Sequence, residues 1–184
     1  MQEVLKKVKN GLIWFFKSFI WIVPLVIIID QVSKLVIQNI FVNAEIKPDL
    51  YIFSRDFIVI DLTYNTGAAW SILDDKRWLL AVISVIASIG IIYYLVKKYK
   101  TLGLFERICG FIILGGCMGN MIDRIFYEKG VIDFIRPTFI NFPTFNIADS
   151  ALVVGIIALL IKMLFEKEGE EEKKDAEKTD STQQ

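Results

Sequence analysis

Two aspartates stand in otherwise apolar surroundings in the later part of the sequence. Asp133 lies in the stretch Val-Ile-Asp-Phe at 131–134, and Asp149 follows Phe-Asn-Ile-Ala at 145–148. Carboxyl groups held close together do not readily ionise at the same time, so one pKa rises and the pair shares a proton. One group can then activate water while its protonated partner donates to a carbonyl, as peptide hydrolysis requires. On spacing alone the simpler interpretation is favoured, in which Asp149 caps a helix and Asp133 is a solvated loop residue.

The composition excludes several other kinds of catalytic site. The 184 residues include no histidine, which removes Ser-His-Asp and Cys-His catalysis and the usual zinc sites. Lysine plus arginine and aspartate plus glutamate balance at 21 each, so net charge indicates no nucleic-acid partner. Cys109 and Cys117 stand in one apolar segment, about 12 Å apart along a helix, which is too far for a disulfide between them. We expect both cysteines to be packing residues.

Four more ionisable residues interrupt apolar segments, where a charge costs about 2.5–3.5 kcal/mol at the centre of a membrane helix. Asp30 and Lys34 are separated by one helical turn and can pair on one helix face. Asp123 and Arg124 are adjacent, and Arg124 could hold a carbonyl or a carboxylate in fork geometry. For these four residues a supporting role is as plausible as a catalytic one.

The third apolar segment is rich in glycine. Gly115, Gly116 and Gly119 include a G-x-x-x-G spacing, which in a membrane helix indicates close packing against a neighbouring helix. Asn120 in this segment, like Asn65 earlier in the chain, lies beside small residues. Both amides could hold an extended peptide by hydrogen bonds, and capping of a loop explains them nearly as well.

Four apolar segments are long enough to position these residues in a membrane. Hydrophobic residues form 54% of the chain, and a helix needs about 20 apolar residues to cross the hydrocarbon. The segments are residues 12–37, 78–96, 102–126 and 147–165. We disfavour a cleaved signal peptide for the first segment, because no small-x-small site follows it and the run is long enough to span.

Lysine and arginine near the helix ends predict the orientation. Basic residues precede the first segment and separate the second from the third: Lys6, Lys7, Lys9, Lys97, Lys98, Lys100 and Arg107. The positive-inside rule places both regions in the cytoplasm, so both termini are cytoplasmic and residues 38–77 and 127–146 face outward. The six candidate residues then fall at the outer ends of the first, third and fourth segments or just beyond them: Asp30, Lys34, Asp123, Arg124, Asp133 and Asp149. They share one depth, whereas a proton or ion pathway would string such groups across the bilayer.

The outer segment 38–77 contains β-branched and aromatic runs at 57–60 and 62–64, followed by a Thr66-Gly67 turn. The predicted fold is therefore an all-α membrane protein of four transmembrane helices with a small extracytoplasmic β-sheet. Residues 1–165 form this domain. The tail 166–184 is charged and lacks an apolar face, so we expect it to be a disordered cytoplasmic segment.

Five blocks of the sequence, taken in their order, resemble one protein family. They are Asp-Gln-Val-Ser-Lys at 30–34, Asn-Thr-Gly-Ala-Ala-Trp at 65–70, Gly-Gly-Cys-Met-Gly-Asn-Met-Ile-Asp-Arg at 115–124, Val-Ile-Asp-Phe at 131–134 and Phe-Pro-Thr-Phe-Asn-Ile-Ala-Asp-Ser at 142–150. The chain thereby resembles the lipoprotein signal peptidases, also called signal peptidase II, which are aspartic peptidases. Trp70 and Cys117 depart from the family's usual phenylalanine and alanine, and would at most reshape a substrate groove.

The resemblance implies a peptidase of the bacterial cytoplasmic membrane that cuts prolipoproteins just before a cysteine carrying diacylglycerol. It implies that Asp133 and Asp149 are the catalytic pair. It also implies a set of substrate-binding or supporting residues: Asp30, Lys34, Asn65, Gly67, Asn120, Asp123, Arg124 and Asn146. The expected partners are prolipoproteins, membrane lipids and peptide inhibitors such as globomycin. No cofactor, metal or nucleic acid is expected, and the chain is expected to act as a monomer.

Two other functions fit four helices with intramembrane charge. A small membrane transporter should carry polar residues through the depth of its helices, yet Ser84 and Ser88 are the only ones in the second segment. A non-catalytic lipid-binding assembly factor fits the helices equally well, but it gives no reason for five polar clusters on one side. The peptidase therefore explains more of the sequence than either alternative.

Overall fold

Apolar runs of the sequence form helices, and shorter β-branched runs between them form strands. The computed structural model describes residues 1–44, 50–68 and 72–181. The helices of this part of the chain are α1 (Gln2–Ser18), α2 (Ile22–Asn43), α3 (Arg77–Lys98), α4 (Leu104–Phe126) and α5 (Ile147–Ser181). The strands are β1 (Leu50–Ile52), β2 (Ile58–Asn65) and β3 (Val131–Pro137).

Four helical segments of the described residues are long and apolar enough to cross a membrane, which confirms the predicted fold class. They are α2, α3, α4 and Ile147–Glu166 of α5. Their outward surfaces carry large exposed apolar side chains such as Ile28, Ile86 and Leu160. Such a surface suits helices surrounded by lipid tails, which are as apolar as the side chains themselves.

The first span begins later than predicted. Residues 12–18 belong to α1, and Phe19 ends that helix in the left-handed conformation, with φ of 61°. α2 then starts at Ile22, and the candidate span is Ile22–Asn43. The predicted start at residue 12 was wrong, because the helix that contains residues 12–18 ends at Phe19 and the helix that is long and apolar enough to span begins only at Ile22.

α4 is the central helix of the membrane domain and packs against α2, α3 and α5. A Cβ at Gly115 would lie 2.7 Å from Val26 Cβ in α2, and a Cβ at Gly116 would lie 2.5 Å from the carbonyl oxygen of Ala148 in α5. A Cβ at Gly119 would lie 2.7 Å from Asp30 Oδ2 in α2. Because glycine has no Cβ, both neighbours can approach the α4 backbone closely, which confirms the packing role predicted for the G-x-x-x-G spacing.

The small sheet is antiparallel throughout, with strand order β1-β2-β3. The segment 38–77 supplies two of its strands, and the third comes from the connection between α4 and α5. β3 was not predicted as a strand, because residues 131–134 are all buried and lack the alternation of a half-buried strand. Residues 38–43 belong to α2 instead of the sheet. Trp70, which departs from the family pattern, lies outside the described residues.

α5 continues beyond the membrane span to Ser181. This differs from the disorder predicted for residues 166–184, of which 182–184 lie outside the described part of the chain. Glutamate and lysine, which dominate this tail, have high helix propensity, so a helix that starts in the span can continue through them. The division of the chain at residue 166 stays a prediction.

Candidate active site

The two aspartates of the sequence prediction lie close together, although they belong to different elements. Asp133 is in β3, and Asp149 is in the first turn of α5. Asn146 contacts both: its side-chain amide donates to Asp133 Oδ1 at 2.7 Å, and its backbone N–H donates to Asp149 Oδ2 at 3.2 Å. Both carboxyl groups line one cavity of about 620 Å³. Asp133 is 2% exposed, so it is not the solvated loop residue of the simpler interpretation.

The first turn of α5 holds Asp149 by a reciprocal pair of hydrogen bonds. Asn146 Oδ1 accepts from the Asp149 backbone N–H at 3.0 Å, while Asp149 Oδ2 accepts from the Asn146 N–H. This arrangement is a capping box, which satisfies two N–H groups at a helix start. Asp149 therefore does cap the helix, but capping uses one carboxylate oxygen. The other oxygen, Oδ1, accepts from Asn120 Nδ2 at 2.6 Å.

The pairing of β2 with β3 positions Asp133. Asn65 lies opposite Val131, so Asp133, two residues further along β3, is its diagonal neighbour on the same face. Asn65 Nδ2 donates to Asp133 Oδ2 at 3.0 Å. Gly130 precedes the strand with φ of 91°, and a Cβ there would lie 2.3 Å from the Asn65 carbonyl oxygen. Glycine thus allows the two strands to meet at the site.

A buried group of three charged residues, the Lys34 cluster (Asp30, Lys34 and Asp123), lies beneath the two aspartates. Lys34 Nζ is 2.8 Å from Asp30 Oδ2 and 2.8 Å from Asp123 Oδ2, and all three side chains are at most 1% exposed. Lys34 donates a third hydrogen bond to Asn120 Oδ1 at 3.1 Å. An ammonium group has three donors, so each donor of Lys34 has an acceptor. Such complete pairing is what a charge at this depth requires.

The carboxylates of the Lys34 cluster also hold the backbone beside each aspartate of the site. Asp30 Oδ1 accepts from the Ala148 N–H at 2.9 Å, directly before Asp149. Asp123 Oδ2 accepts from the Ile132 N–H at 3.2 Å, directly before Asp133. The cluster therefore fixes β3 and the start of α5 relative to α2 and α4.

Asn120 connects the Lys34 cluster to the two aspartates. Its side-chain oxygen accepts from Lys34 Nζ and from Asn146 Nδ2 at 2.9 Å, and its Nδ2 donates to Asp149. Because two donors face the oxygen, the amide can take one orientation only. Lys34, Asn146 and Asp149 together thus fix the orientation of Asn120.

Arg124 holds two backbone carbonyls at the edge of the site. Nη1 donates to the Asn120 carbonyl oxygen at 3.3 Å, and Nη2 donates to the Gly67 carbonyl oxygen at 3.4 Å. Gly67 contributes its backbone, and its own N–H is held by Asn65 Oδ1 at 3.0 Å in the predicted Thr66-Gly67 turn. Arg124 lines the same cavity as the two aspartates, so it brings a positive charge to their surroundings.

Electrostatics favour the protonated form of one carboxyl group. Burial, followed by the negative charge of Asp149, raises the pKa of Asp133 from 3.8 to about 7. Hydrogen bonds from Asn65 and Asn146, and the charge of Lys34, act in the opposite direction. Because this pKa lies near neutral pH, Asp133 can carry a proton under physiological conditions and release it, as general acid–base catalysis requires.

The lining of the cavity combines polar and apolar residues. Its apolar residues include Phe142, Leu152 and Val153, and its polar residues include Asn65, Ser84, Asn120, Arg124, Asp133 and Asp149. A neighbouring cavity of about 480 Å³ is lined mainly by polar residues and shares Asn65 and Asp133 with the first. Asp133 therefore lies where an apolar cavity and a polar cavity meet.

All eight supporting residues of the sequence prediction lie in this network, but the prediction missed Gln31. Gln31 Nε2 donates to Asp123 Oδ1 at 2.8 Å and is 3.2 Å from the Gly119 carbonyl oxygen and from Asp30 Oδ2. One signal was present in the sequence: Gln31 precedes Lys34 by three residues, so a helix places both on one side.

The sequence and the fold both match known proteins. The family model described as Signal peptidase (SPase) II matches residues 22–165. The chain belongs to the signal peptidase II family. A lipoprotein signal peptidase of Enterococcus faecalis (strain ATCC 700802 / V583) is 40% identical over 147 residues, which is 79% of this chain and 87% of that relative.

Two solved structures resemble the fold of this signal peptidase II family member, and each is described as a bacterial membrane enzyme determined by the in meso method. The first, at 2.3 Å resolution, has a TM-score of 0.69 and 33% identity, over 83% of this chain and 91% of that one. The second, at 1.9 Å resolution, has a TM-score of 0.67 and 34% identity, over 82% of this chain and 94% of that one.

Membership of the signal peptidase II family identifies the chain as a peptidase of a bacterial membrane. The matched residues 22–165 include the whole network from Asp30 to Asp149, and they exclude α1 and the end of α5. The transporter and the assembly factor are not favoured.

Proposed function

We propose that this chain removes signal peptides from diacylglyceryl-modified prolipoproteins by hydrolysing the bond before the lipidated cysteine. Asp133 and Asp149 are the proposed catalytic pair. The observation that carries the proposal is the meeting of these two carboxyl groups at Asn146 in one cavity. Family membership supports the substrate class, since the relative from Enterococcus faecalis is a lipoprotein signal peptidase.

The proposed reaction begins with one proton shared by the pair. Asp133, whose pKa lies near 7, holds the proton and donates it to the scissile carbonyl oxygen. Asp149 accepts a proton from the attacking water, whose oxygen bonds to the carbonyl carbon. The tetrahedral intermediate then loses the cysteine nitrogen, which leaves as an amine after taking the proton from Asp149. The carbonyl forms again as a carboxylic acid at the end of the signal peptide, and its proton returns to Asp133.

The Lys34 cluster and the asparagines have a positioning role in this proposal. Asn65 and Asn146 orient Asp133, and Asn120 orients Asp149. Arg124 lies beside the pair and holds the Gly67 carbonyl. Its charge is suited to stabilising negative charge on the substrate carbonyl oxygen during attack.

The shape of the site suits a substrate that is partly lipid. Phe142, Leu152 and Val153 form an apolar wall beside the aspartates, near the end of the α5 span. Acyl chains of the substrate can remain against this wall and in the bilayer while the peptide bond reaches Asp133. The neighbouring polar cavity, which Asp133 also lines, gives a route for water. A peptide inhibitor such as globomycin should occupy the same cavity.

The proposed orientation places both termini in the cytoplasm and the site at the outer face of the cytoplasmic membrane. The lysines of α1 and of the α3–α4 connection support it through the positive-inside rule. The site lies at the other end of the helices, beside the sheet. We propose that the chain acts as a monomer, because one chain supplies every residue of the network.

The decisive experiment is cleavage of a purified diacylated prolipoprotein by the purified protein, with the product identified by mass spectrometry. Asp133→Asn and Asp149→Asn should each lower the rate by at least about a thousandfold, since neither amide can exchange the catalytic proton. Asp56→Asn, which changes an exposed aspartate between β1 and β2, should cleave at the wild-type rate.

Thermal unfolding in detergent distinguishes loss of chemistry from loss of fold. Both variants of the pair should unfold cooperatively, as the wild type does. Turnover retained in either folded variant would remove that residue from the pair. Treatment with EDTA should leave the rate unchanged, and an activity lost to EDTA and restored by zinc would replace the proposed mechanism with a metal-dependent one.

A further inference from the structure

α1 differs from the other helices in having no neighbour of its own. No helix or strand of the described residues forms an extended packing interface with it. Its apolar side chains remain exposed, with Val4 and Leu5 at 62% and Phe16 at 61%. An isolated helix of 17 residues is marginal in water, so a surface that covers the apolar face must stabilise it.

α1 has an apolar face and a basic face, and Ile13 and Trp14 are the two apolar residues that lie on the basic side. On a helix of 3.6 residues per turn, Val4, Val8 and Phe15 share one narrow arc. Leu5 and Phe16 extend this arc on one side. Four lysines lie outside it, and with one glutamate they give α1 a net charge of +3: Lys6, Lys7, Lys9, Lys17 and Glu3. An apolar stripe bordered by lysines is the pattern of helices that lie in the plane of a membrane surface.

The short connection between α1 and α2 determines where α1 lies relative to the membrane span. Phe19 adopts the left-handed conformation, and the Trp21 indole N–H donates to the Phe16 carbonyl oxygen at 3.3 Å. The candidate span begins directly afterwards at Ile22. α1 is therefore attached at the boundary between the hydrocarbon and the headgroups, where tryptophan is also favoured.

We propose that α1 lies in this boundary and binds the anionic headgroups of the leaflet in which α2 begins. Lipid tails cover the apolar face, and phosphate groups pair with Lys6, Lys9 and Lys17. Charge complementarity selects this partner, because a second copy of the helix would bring two groups of lysines together. The site is separate from the peptidase chemistry, since α1 lies outside the residues matched by the family.

Hydrogen exchange of the full chain in lipid nanodiscs tests the proposal. The amides of α1 should exchange at least about tenfold more slowly in nanodiscs that contain phosphatidylglycerol than in phosphatidylcholine alone, because each lysine near an anionic surface adds to binding. High salt should remove this difference. The amides of α4 serve as an internal reference for the fold of the membrane domain.

A triple variant and a matched control complete the test. Lys6→Gln, Lys9→Gln and Lys17→Gln together should abolish the slowing of α1 exchange by phosphatidylglycerol. The same change in net charge in the tail, Lys173→Gln with Lys174→Gln and Lys178→Gln, should preserve it. Equal exchange in both lipids would overturn the proposal, as would exchange that slows only when a nanodisc holds two copies of the chain.

Discussion

Two lysines, each placed between two carboxylates, lie toward opposite ends of α4, and their surroundings differ. Lys34 is 1% exposed and has its two partners at 2.8 Å. Lys162 lies 2.9 Å from Glu106 and 2.6 Å from Glu166, and its side chain is 26% exposed. The partners of Lys34 also hold backbone N–H groups of the site. The residues around Lys162 instead border a largely apolar cavity of about 670 Å³.

Both clusters contain one lysine and two carboxylates, so the number of charges does not explain the difference between them. Burial decides whether such a cluster holds elements of the fold together. Each ion that moves from water into the protein interior loses roughly several kcal/mol of solvation free energy. A buried cluster is therefore stable only when all of its hydrogen-bond donors and acceptors are paired. The Lys34 cluster meets this requirement by drawing together α2, α4, β3 and α5. Around Lys162, water solvates the charges, and exposed pairs of this kind contribute little.

The largest expected effect follows from removing the positive charge of each cluster. Lys34→Met leaves two buried carboxylates without a counter-ion, a change that typically costs about 3–5 kcal/mol. We expect a much lower midpoint of thermal unfolding and no prolipoprotein cleavage. Lys162→Met should leave both close to the wild-type values, because solvent reaches that cluster. Fluorescence-monitored unfolding and the cleavage assay measure the two outcomes.

A compensated variant checks the cause of that loss. Lys34→Met combined with Asp30→Asn and Asp123→Asn contains no unpaired buried charge, so it should recover much of the stability lost by Lys34→Met alone. Similar losses of stability and of cleavage in Lys34→Met and Lys162→Met would contradict the distinction between the clusters at the two ends of α4.

A smaller effect is expected from adding one methyl group at each end. Gly119→Ala places a Cβ 2.7 Å from Asp30 Oδ2 and 3.0 Å from the Ala148 Cβ. We expect it to destabilise the protein by about 1–3 kcal/mol through overpacking and to slow cleavage. At Gly90, which borders the cavity near Lys162, a Cβ meets no atom within 4 Å. Gly90→Ala should be neutral or stabilising, and a larger loss there than at Gly119 would refute the packing argument.

The next prediction is a gradual change of the cleavage rate with pH. Above its raised pKa, Asp133 has lost the proton that it must donate, so the cleavage rate should fall about tenfold per pH unit on the alkaline side of about 7. Asn65→Leu removes a hydrogen bond that lowers this pKa, and it should move the alkaline limb to higher pH. A rate–pH profile of each protein measures the shift; a limb unchanged by Asn65→Leu would mean that Asp133 is not the titrating group.

The free energy of unfolding should also depend on the protonation of Asp133. Between about pH 4 and about pH 7 the folded protein holds a proton on Asp133 that the unfolded chain has released. The contribution of Asp133 to the free energy of unfolding therefore decreases as the pH rises through this range. Asp133→Asn should flatten that part of the stability curve, which unfolding midpoints at several pH values can detect.

Much of the fold and of the site could be predicted from the sequence. The four membrane helices could be predicted from the length of the apolar segments and from their lack of charge. A helix needs about 20 apolar residues to cross the hydrocarbon, and few other segments have this composition. Asp30, Lys34 and Asp123 could be selected as candidates because buried charge is costly. The pairing of all three across α2 and α4 could not be predicted, because helical spacing indicates only the Asp30–Lys34 pair.

The remaining features depend on tertiary contacts that leave a weak trace in the sequence. β3 is buried on both faces, and so it has no alternating pattern. The diagonal contact of Asn65 with Asp133 depends on a register that shifts between Ile60 and Thr63. The true start of α2 depends on the backbone conformation of Phe19, a residue that rarely adopts it.

The capping box ties Asp149 to the first turn of a helix and not to the loop before it. Residues 138–141 can therefore gain or lose length without displacing Asp149 from Asn146. An insertion inside the box would instead rotate Asp149 by about 100° per residue around α5 and turn its carboxylate away from the cavity. Variation in chain length among related proteins should accordingly be tolerated in that loop and excluded from the two positions that separate the asparagine from the aspartate.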